Sequence, residues 1–176
     1  NEDLDLAVGR ILWDRIGLRN VYCEQVQTFS KLGRHPLGRV VTVAYYSLIK
    51  VEDYKKVAPS DCPLVWKKVD DVGKLAFDHN DIFDLCLEKL RRQLREHPVG
   101  FSLLPKKFTL NQLQQLYEVI LNISFDKRNF RRKLKVLDAI TDTGEVERDV
   151  RHRPAKLYSF DVERFEASPK NAFMLP

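Results

Sequence analysis

Two apolar stripes at helical spacing, separated by a four-residue break, constrain this chain more than any other feature. In FTLNQLQQLYEVIL (108–121), Leu110, Leu113, Leu116, Tyr117, Ile120 and Leu121 fall on one face, the spacing of an amphipathic helix. Thr109 stands at the N-cap position with Gln112 three residues on, the pattern of a reciprocal capping box. NISF (122–125) breaks the run. A second helix is expected over 126–139, burying Phe130, Leu134 and Leu137, with Ile140 at its end.

The second helix is also the most basic part of the chain. DKRNFRRKLK (126–135) carries six basic side chains and one acid. Its net charge of +5 equals that of the whole chain, so the remainder sums to about zero. A basic stripe on a neutral body suits a specific polyanion contact. With Phe130 and Leu134 turned inward, Lys127, Arg128, Arg131, Arg132 and Lys135 spread over the outer face, and Asn129 lies early in the helix. Arg can grip guanine bidentately and Asn can grip adenine. Cations near helix ends more often hold phosphate. TDTGEV (141–146) reads as a turn and PAKLYSFD (154–161) as a returning strand. Helix, turn, basic helix and hairpin form the layout of a winged helix-turn-helix. Arg148, Arg151, His152, Arg153 and Lys156 are candidates for the wing, interleaved with Glu145, Glu147 and Asp149.

The first half follows another plan. Residues 4–18 have helical spacing through Leu4, Ala7, Val8, Ile11 and Leu12, with Gly17 as a stop. NVYCEQVQTF (20–29) and GRVVTVAYYSLI (38–49) read as strands. The second is apolar on both faces, as in a central strand. PLVWKKVDDV (63–72) suggests a further strand and turn. From Asp81 the period becomes helical through Phe83, Cys86, Leu87, Leu90 and Leu94. HPVGFSLLPKKF (97–108), with Pro98, Gly100 and Pro105, is the best candidate for a boundary. The expected domains are therefore 1–97 and 109–176, with 98–108 as a linker.

Bulk properties exclude several classes. No apolar run approaches the roughly 18 residues of a membrane span, and the acidic start NEDLDLAVGR lacks a secretory apolar core. Cys23, Cys62 and Cys86 are odd in number and widely spaced, which argues against a disulfide framework or zinc finger and for a reducing cytoplasm.

EDLDLAVGRILWDRIGL resembles the signature of Nudix hydrolases. Glu2, Arg10, Leu12, Gly17 and Leu18 match, while Ile11 and Arg15 replace two of its carboxylates and Asp14 keeps one acid. Nudix enzymes use these carboxylates to hold magnesium against a diphosphate. Magnesium requires hard oxygen ligands; Ile11 has none and Arg15 brings a positive charge. The site therefore reads as dead for hydrolysis, with no catalytic residue, metal or cofactor.

HPLGRVVTVAYYSL, LAFDHNDI, FTLNQLQQLYEVIL, DKRNFRRKL and RPAKLYSF, in that order after a degenerate Nudix half, resemble the Nudix-related transcriptional regulators over essentially the whole chain. The resemblance implies an α+β protein: a Nudix-like α/β/α sandwich, incomplete here at its N-terminus, followed by a C-terminal winged helix-turn-helix. It implies a repressor that binds palindromic double-stranded operator DNA as a homodimer and responds to a small molecule. The likeness is closest to the arabinose-responsive branch, so L-arabinose is the expected effector. The family's DNA-recognition helix falls on Lys127, Arg128, Asn129, Arg131, Arg132 and Lys133, with Arg151 and Arg153 on the wing. Its Asp-His pair falls on Asp78 and His79, which join Tyr45 and Arg34 as expected effector-binding residues; Tyr46, His35 and Arg39 are further candidates. Two other readings compete: an active Nudix hydrolase of ADP-ribose or a related nucleoside diphosphate, and an RNA- or protein-binding adaptor.

Overall fold

A computed structural model describes residues 1–19, 21–50, 65–148, 150–151 and 153–168. Cys62, Asp149, His152 and the whole polar stretch 51–63 lie outside them. The chain divides into two compact units between Leu90 and Arg91, a division that falls within the helix His79–Glu96.

In the first unit, helix α1 (Leu4–Ile16) starts where the Asp3 carboxylate accepts the Leu6 N–H at 2.9 Å. It stops at Gly17, whose φ of 70° permits the left-handed cap and whose N–H reaches the Trp13 carbonyl. The chain then turns back, burying Ile16 and Leu18 against Leu12, Val21 and Ile49. Strands β1 (Tyr22–Phe29) and β2 (Thr42–Leu48) pair antiparallel from Tyr22↔Leu48 to Phe29↔Thr42, with a bulge between Gln25 and Gln27. Among the described residues β2 pairs with β1 alone, and Ala44 is its one buried residue. It is thus a half-buried ribbon strand, not the expected central strand. The expected strand in 63–72 also differs: Val69–Asp71 form a single 3-10 turn, and Val65 and Trp66 are exposed. Helix α2 (His79–Glu96) has Asp81 in its first turn and Arg95 in its last, complementing the helix dipole.

The second unit is built on aromatic packing. Residues 98–108, expected as a linker, enter its core. Pro98–Leu103 form a 3-10 helix, and Phe101 stacks on Phe160 with ring centroids 4.0 Å apart and planes 12° apart. Phe108 bridges Tyr158 through two backbone hydrogen bonds of 2.9 and 2.8 Å. Helix α3 (Leu110–Leu121) opens with the expected capping box: Gln112 N–H donates to Thr109 Oγ1, and Thr109 N–H to Gln112 Oε1. Leu113, Tyr117 and Leu121 are its buried stripe.

Helix α4 (Lys127–Leu134) is shorter than its apolar spacing suggested. Asp126 caps its start by accepting from Asn129 N–H at 2.8 Å. After Leu134, bonds from Val136 to Lys133 and from Leu137 to Leu134 tighten the chain. Leu137 and Ala139 are then buried within successive turns, the last closed by the Ile140 N–H on the Leu137 carbonyl at 3.2 Å, and not within a continued helix. Strand β3 (Ile140–Val146) contains the whole segment expected as a turn. The turn-like residues mark an irregularity inside the strand, where Gly144 has a φ of 74° and the register with β4 (Lys156–Phe160) shifts between Asp142 and Val146. A short helix α5 (Val162–Ala167), not anticipated from the sequence, is capped by Asp161. No described helix is long and apolar enough to cross a membrane.

Two glycines give opposite expectations. A Cβ on Gly100 would lie 2.9 Å from Leu94 Cδ2 and 3.0 Å from Tyr117 Cε2. Gly100→Ala should therefore destabilise the second unit by about 1–3 kcal/mol through overpacking. Gly9, inside α1, has nothing within 4 Å of such an atom, so Gly9→Ala should stabilise by about 0.5–1 kcal/mol. Urea titrations check both signs; an unaffected Gly100→Ala midpoint would refute the packing account.

Candidate nucleic-acid interface and ligand-sensing unit

Five of the eight residues of α4 are cationic. Their mutual repulsion works against the helix, and its capped first turn opens with Lys127 and Arg128, adverse to the dipole. Packing offsets both. Phe130 is 1 % and Leu134 3 % exposed, and Phe125 meets the Phe130 ring at 5.1 Å. The turn before α4 is also fixed: the Glu118 carboxylate accepts from Phe125 N–H at 2.8 Å and from Gln114 Nε2 at 2.9 Å. Those two bonds hold Glu118 below the usual carboxylate range.

With one face buried, the other is an array of donors. Lys127, Arg128, Asn129, Arg131, Arg132 and Lys133 are all exposed. Lys127, Arg128, Arg131 and Arg132 rim a groove of about 760 Å³ with Leu134, Ile140 and Tyr158 among its lining. Arg131 Nη2 donates to Asn111 Oδ1 at 3.3 Å, a brace from α3 with no local sequence signal. On the wing, Lys156 pairs with Asp142 at 2.7 Å and Lys107 with Glu145 at 2.5 Å. Each lysine holds its partner carboxylate below the usual range. Lys156 of the wing and Lys107 ahead of α3 are thus paired, and Arg151 and Arg153 lie exposed along the connection between β3 and β4.

The expected effector residues separate into two places. Arg34, Asp78 and His79 come together. Arg34 donates from Nε and Nη2 to Asp78 at 2.8 and 3.0 Å, and from Nη1 to Thr42 Oγ1 at 2.6 Å. The Arg34 side chain is 5 % exposed, so it acts as an internal clamp between the 30–39 segment and the start of α2. Arg34 in turn holds the Asp78 carboxyl below its ordinary value. Phe77, with a φ of 52°, displays its ring between His35 at 4.4 Å and His79 at 5.9 Å.

Tyr45 belongs elsewhere, on a cavity of about 350 Å³ lined by Asp5, Val8, Gly9, Leu18, Arg19, Val21, Cys23 and Tyr45. Its hydroxyl is within hydrogen-bonding reach of Gln25 Oε1 at 3.0 Å and Asp5 Oδ1 at 3.4 Å. Sequence reasoning missed Arg19, whose guanidinium lies 3.7 Å over the Trp13 ring. The six-residue spacing of that pair spans a helix end, where periodicity gives no guidance.

The carboxylates of α1 do not fit a magnesium site. Glu2 is bound by Arg10, which also pairs with Asp14 at 3.5 Å, and Asp3 is spent on the cap. Ile11 and Arg15 are exposed and supply no oxygen. Among the described residues, no three His, Cys, Asp or Glu side chains are grouped to hold a metal.

A family model described as the NrtR DNA-binding winged helix domain matches residues 100–160. The ADPR responsive transcriptional repressor NtrR of Acinetobacter baylyi is 30% identical over 168 residues, covering 94% of this chain and 67% of that protein. The Shewanella oneidensis NrtR structure in complex with a 27mer DNA is 30% identical with a TM-score of 0.80, covering 94% of this chain and 76% of that one. The same protein without that DNA aligns with a TM-score of 0.78 at 29% identity, with the same coverage of both chains. A MutT/nudix family protein of Enterococcus faecalis, 20% identical with a TM-score of 0.65 over 92% of this chain and 71% of its own, shares the fold. The expected arabinose branch is corrected by these relatives: the one named for its ligand responds to ADP-ribose, not to a sugar.

The Arg34–Asp78 clamp has a pH signature. The folded-state pKa of Asp78 is lowered from an ordinary value of 3.8. Its contribution is therefore complete above that value and is lost as pH falls through the folded pKa. Asp78→Asn should lower the urea midpoint at neutral pH, and the gap from wild type should narrow below about pH 4. A gap constant from pH 7 to 3 would contradict the clamp.

Proposed function

The chain belongs to the NrtR-type family of Nudix-related transcriptional regulators, and we propose from that premise that it is an ADP-ribose-responsive repressor binding a two-fold symmetric operator as a homodimer. The observation that carries the DNA-binding part is the exposed cationic face of α4 on its buried Phe130–Leu134 anchor, inside the matched winged-helix segment. In this reading Arg128, Asn129, Arg131 and Arg132 face base edges. Lys127, Lys133, Arg151 and Arg153 hold phosphate and set orientation.

ADP-ribose replaces L-arabinose as the proposed effector on the strength of the Acinetobacter baylyi relative. The first unit acts on it by binding, not hydrolysis, because Ile11 and Arg15 stand where metal-holding acids are required. Regulation is a shift between two dimer arrangements. One holds the two α4 helices about one DNA turn apart. The effector prefers the other, and only that difference in affinity moves the equilibrium.

Fluorescence anisotropy on a duplex from the promoter this chain controls tests the reading. ADP-ribose should weaken operator affinity by roughly 5- to 150-fold, the usual range of coupling between sites, and L-arabinose should leave it unchanged. Release by arabinose alone, or binding indifferent to sequence, would overturn the proposal. Appearance of AMP from ADP-ribose and magnesium would overturn its non-enzymatic part.

A further inference from the structure

We propose that the cavity between α1 and the β1–β2 ribbon is a metal-free subsite for a sugar phosphate, with Arg19 holding the phosphate and Asp5 and Tyr45 the sugar hydroxyls. The inference draws on the ADP-ribose reading only for the identity of the larger ligand.

The cavity, about 350 Å³, lies at the small end of the range for ligand sites. Val8, Leu18 and Val21 give it apolar wall, and Gly9 adds a stretch of bare backbone to the lining. Arg19 is part of the lining, and its guanidinium rests on the Trp13 face at 3.7 Å. That contact uses the π surface and fixes the plane of the group. The in-plane N–H donors stay available, and their fork suits a bidentate phosphate contact. Among the described residues Arg19 has no carboxylate partner.

Asp5 and Tyr45, also in the lining, have the opposite character. The Tyr45 hydroxyl reaches both Asp5 and Gln25. Burial, and then Asp5, push its pKa up, so it remains a donor. The Asp5 carboxylate accepts from neighbouring hydroxyls and the Tyr45 phenol donates to them, and the Asp5 charge turns a phosphate away toward Arg19. The two kinds of group thus specify an orientation: anion at Arg19, hydroxyls at Asp5 and Tyr45. Positive charge here comes from an arginine. The acids of α1 that would recruit a metal are replaced at Ile11 and Arg15 or held by Arg10.

Isothermal titration of the full chain with ribose 5-phosphate, ribose and ADP-ribose, each in EDTA and in magnesium chloride, tests the subsite. Ribose 5-phosphate should bind more tightly than ribose, with the same Kd in both buffers. Arg19→Ala should weaken ribose 5-phosphate and ADP-ribose by about 10-fold or more, as expected for a charged hydrogen bond, and Tyr45→Phe by less. Amide NMR spectra should retain wild-type dispersion, since both side chains reach the surface. No binding of ribose 5-phosphate, an unchanged Kd in Arg19→Ala, or a requirement for magnesium would overturn the inference. The two proposals separate cleanly. Arg19-dependent binding of ribose 5-phosphate without binding of ADP-ribose leaves the subsite and removes ADP-ribose as effector. ADP-ribose binding that ignores Arg19 does the reverse.

Discussion

The second unit depends on the burial of Phe130 and Leu134. Helix α4 is eight residues long and carries five cations, so neither length nor charge would let it stand alone in water. Burying the two side chains contributes about 1.5–3 kcal/mol each. The same burial sets the rotation of the helix: residues 128, 129 and 132 must then point outward, with 131 and 133 on the flanks and Lys127 exposed at the first turn. The anchor thus supplies stability and orientation together. The surrounding bonds serve that placement: the Thr109–Gln112 box starts α3, Glu118 and Gln114 secure the turn, and Asp126 starts α4. Phe101 on Phe160 ties the segment before α3 to the wing strand β4.

In the first unit, α1 keeps the frame of a diphosphate-binding helix while its side chains do other work. Gly17 still ends the helix in the left-handed region, and Leu18 still folds back into the small core. The acids now cap, pair with Arg10 or face Tyr45.

Much of this was legible in the sequence because it is local. The caps of α3 and α4, the stop at Gly17 and the buried stripe through Leu113, Tyr117 and Leu121 all follow from residues within one or two turns. Features set by distant partners were not. Residues 98–108 carry the prolines and glycine of a linker, yet Phe160 and Tyr158 draw Phe101 and Phe108 into the core. Strand β3 was hidden by Gly144, which marks an irregularity and reads as a turn. Arg34 meets Asp78 across 44 residues, so its role as a clamp had no local signature. The expectation of L-arabinose rests on the resemblance to one branch of the family, whereas the cavity that combines Asp5, Arg19 and Tyr45 exists only in the folded unit.

The central claim is that the outward cations of α4 neutralise DNA phosphate and contact bases while its inward residues only position them. The salt dependence of operator binding measures this directly, since each neutralised phosphate adds about 0.9 to the slope of log K against log salt concentration. Replacing Lys127 by Ala should lower the slope by about that amount, with affinity falling alike on operator and unrelated duplex. Arg131→Ala should instead narrow the difference between the two duplexes. Slopes and discrimination identical to wild type in both variants would contradict the account.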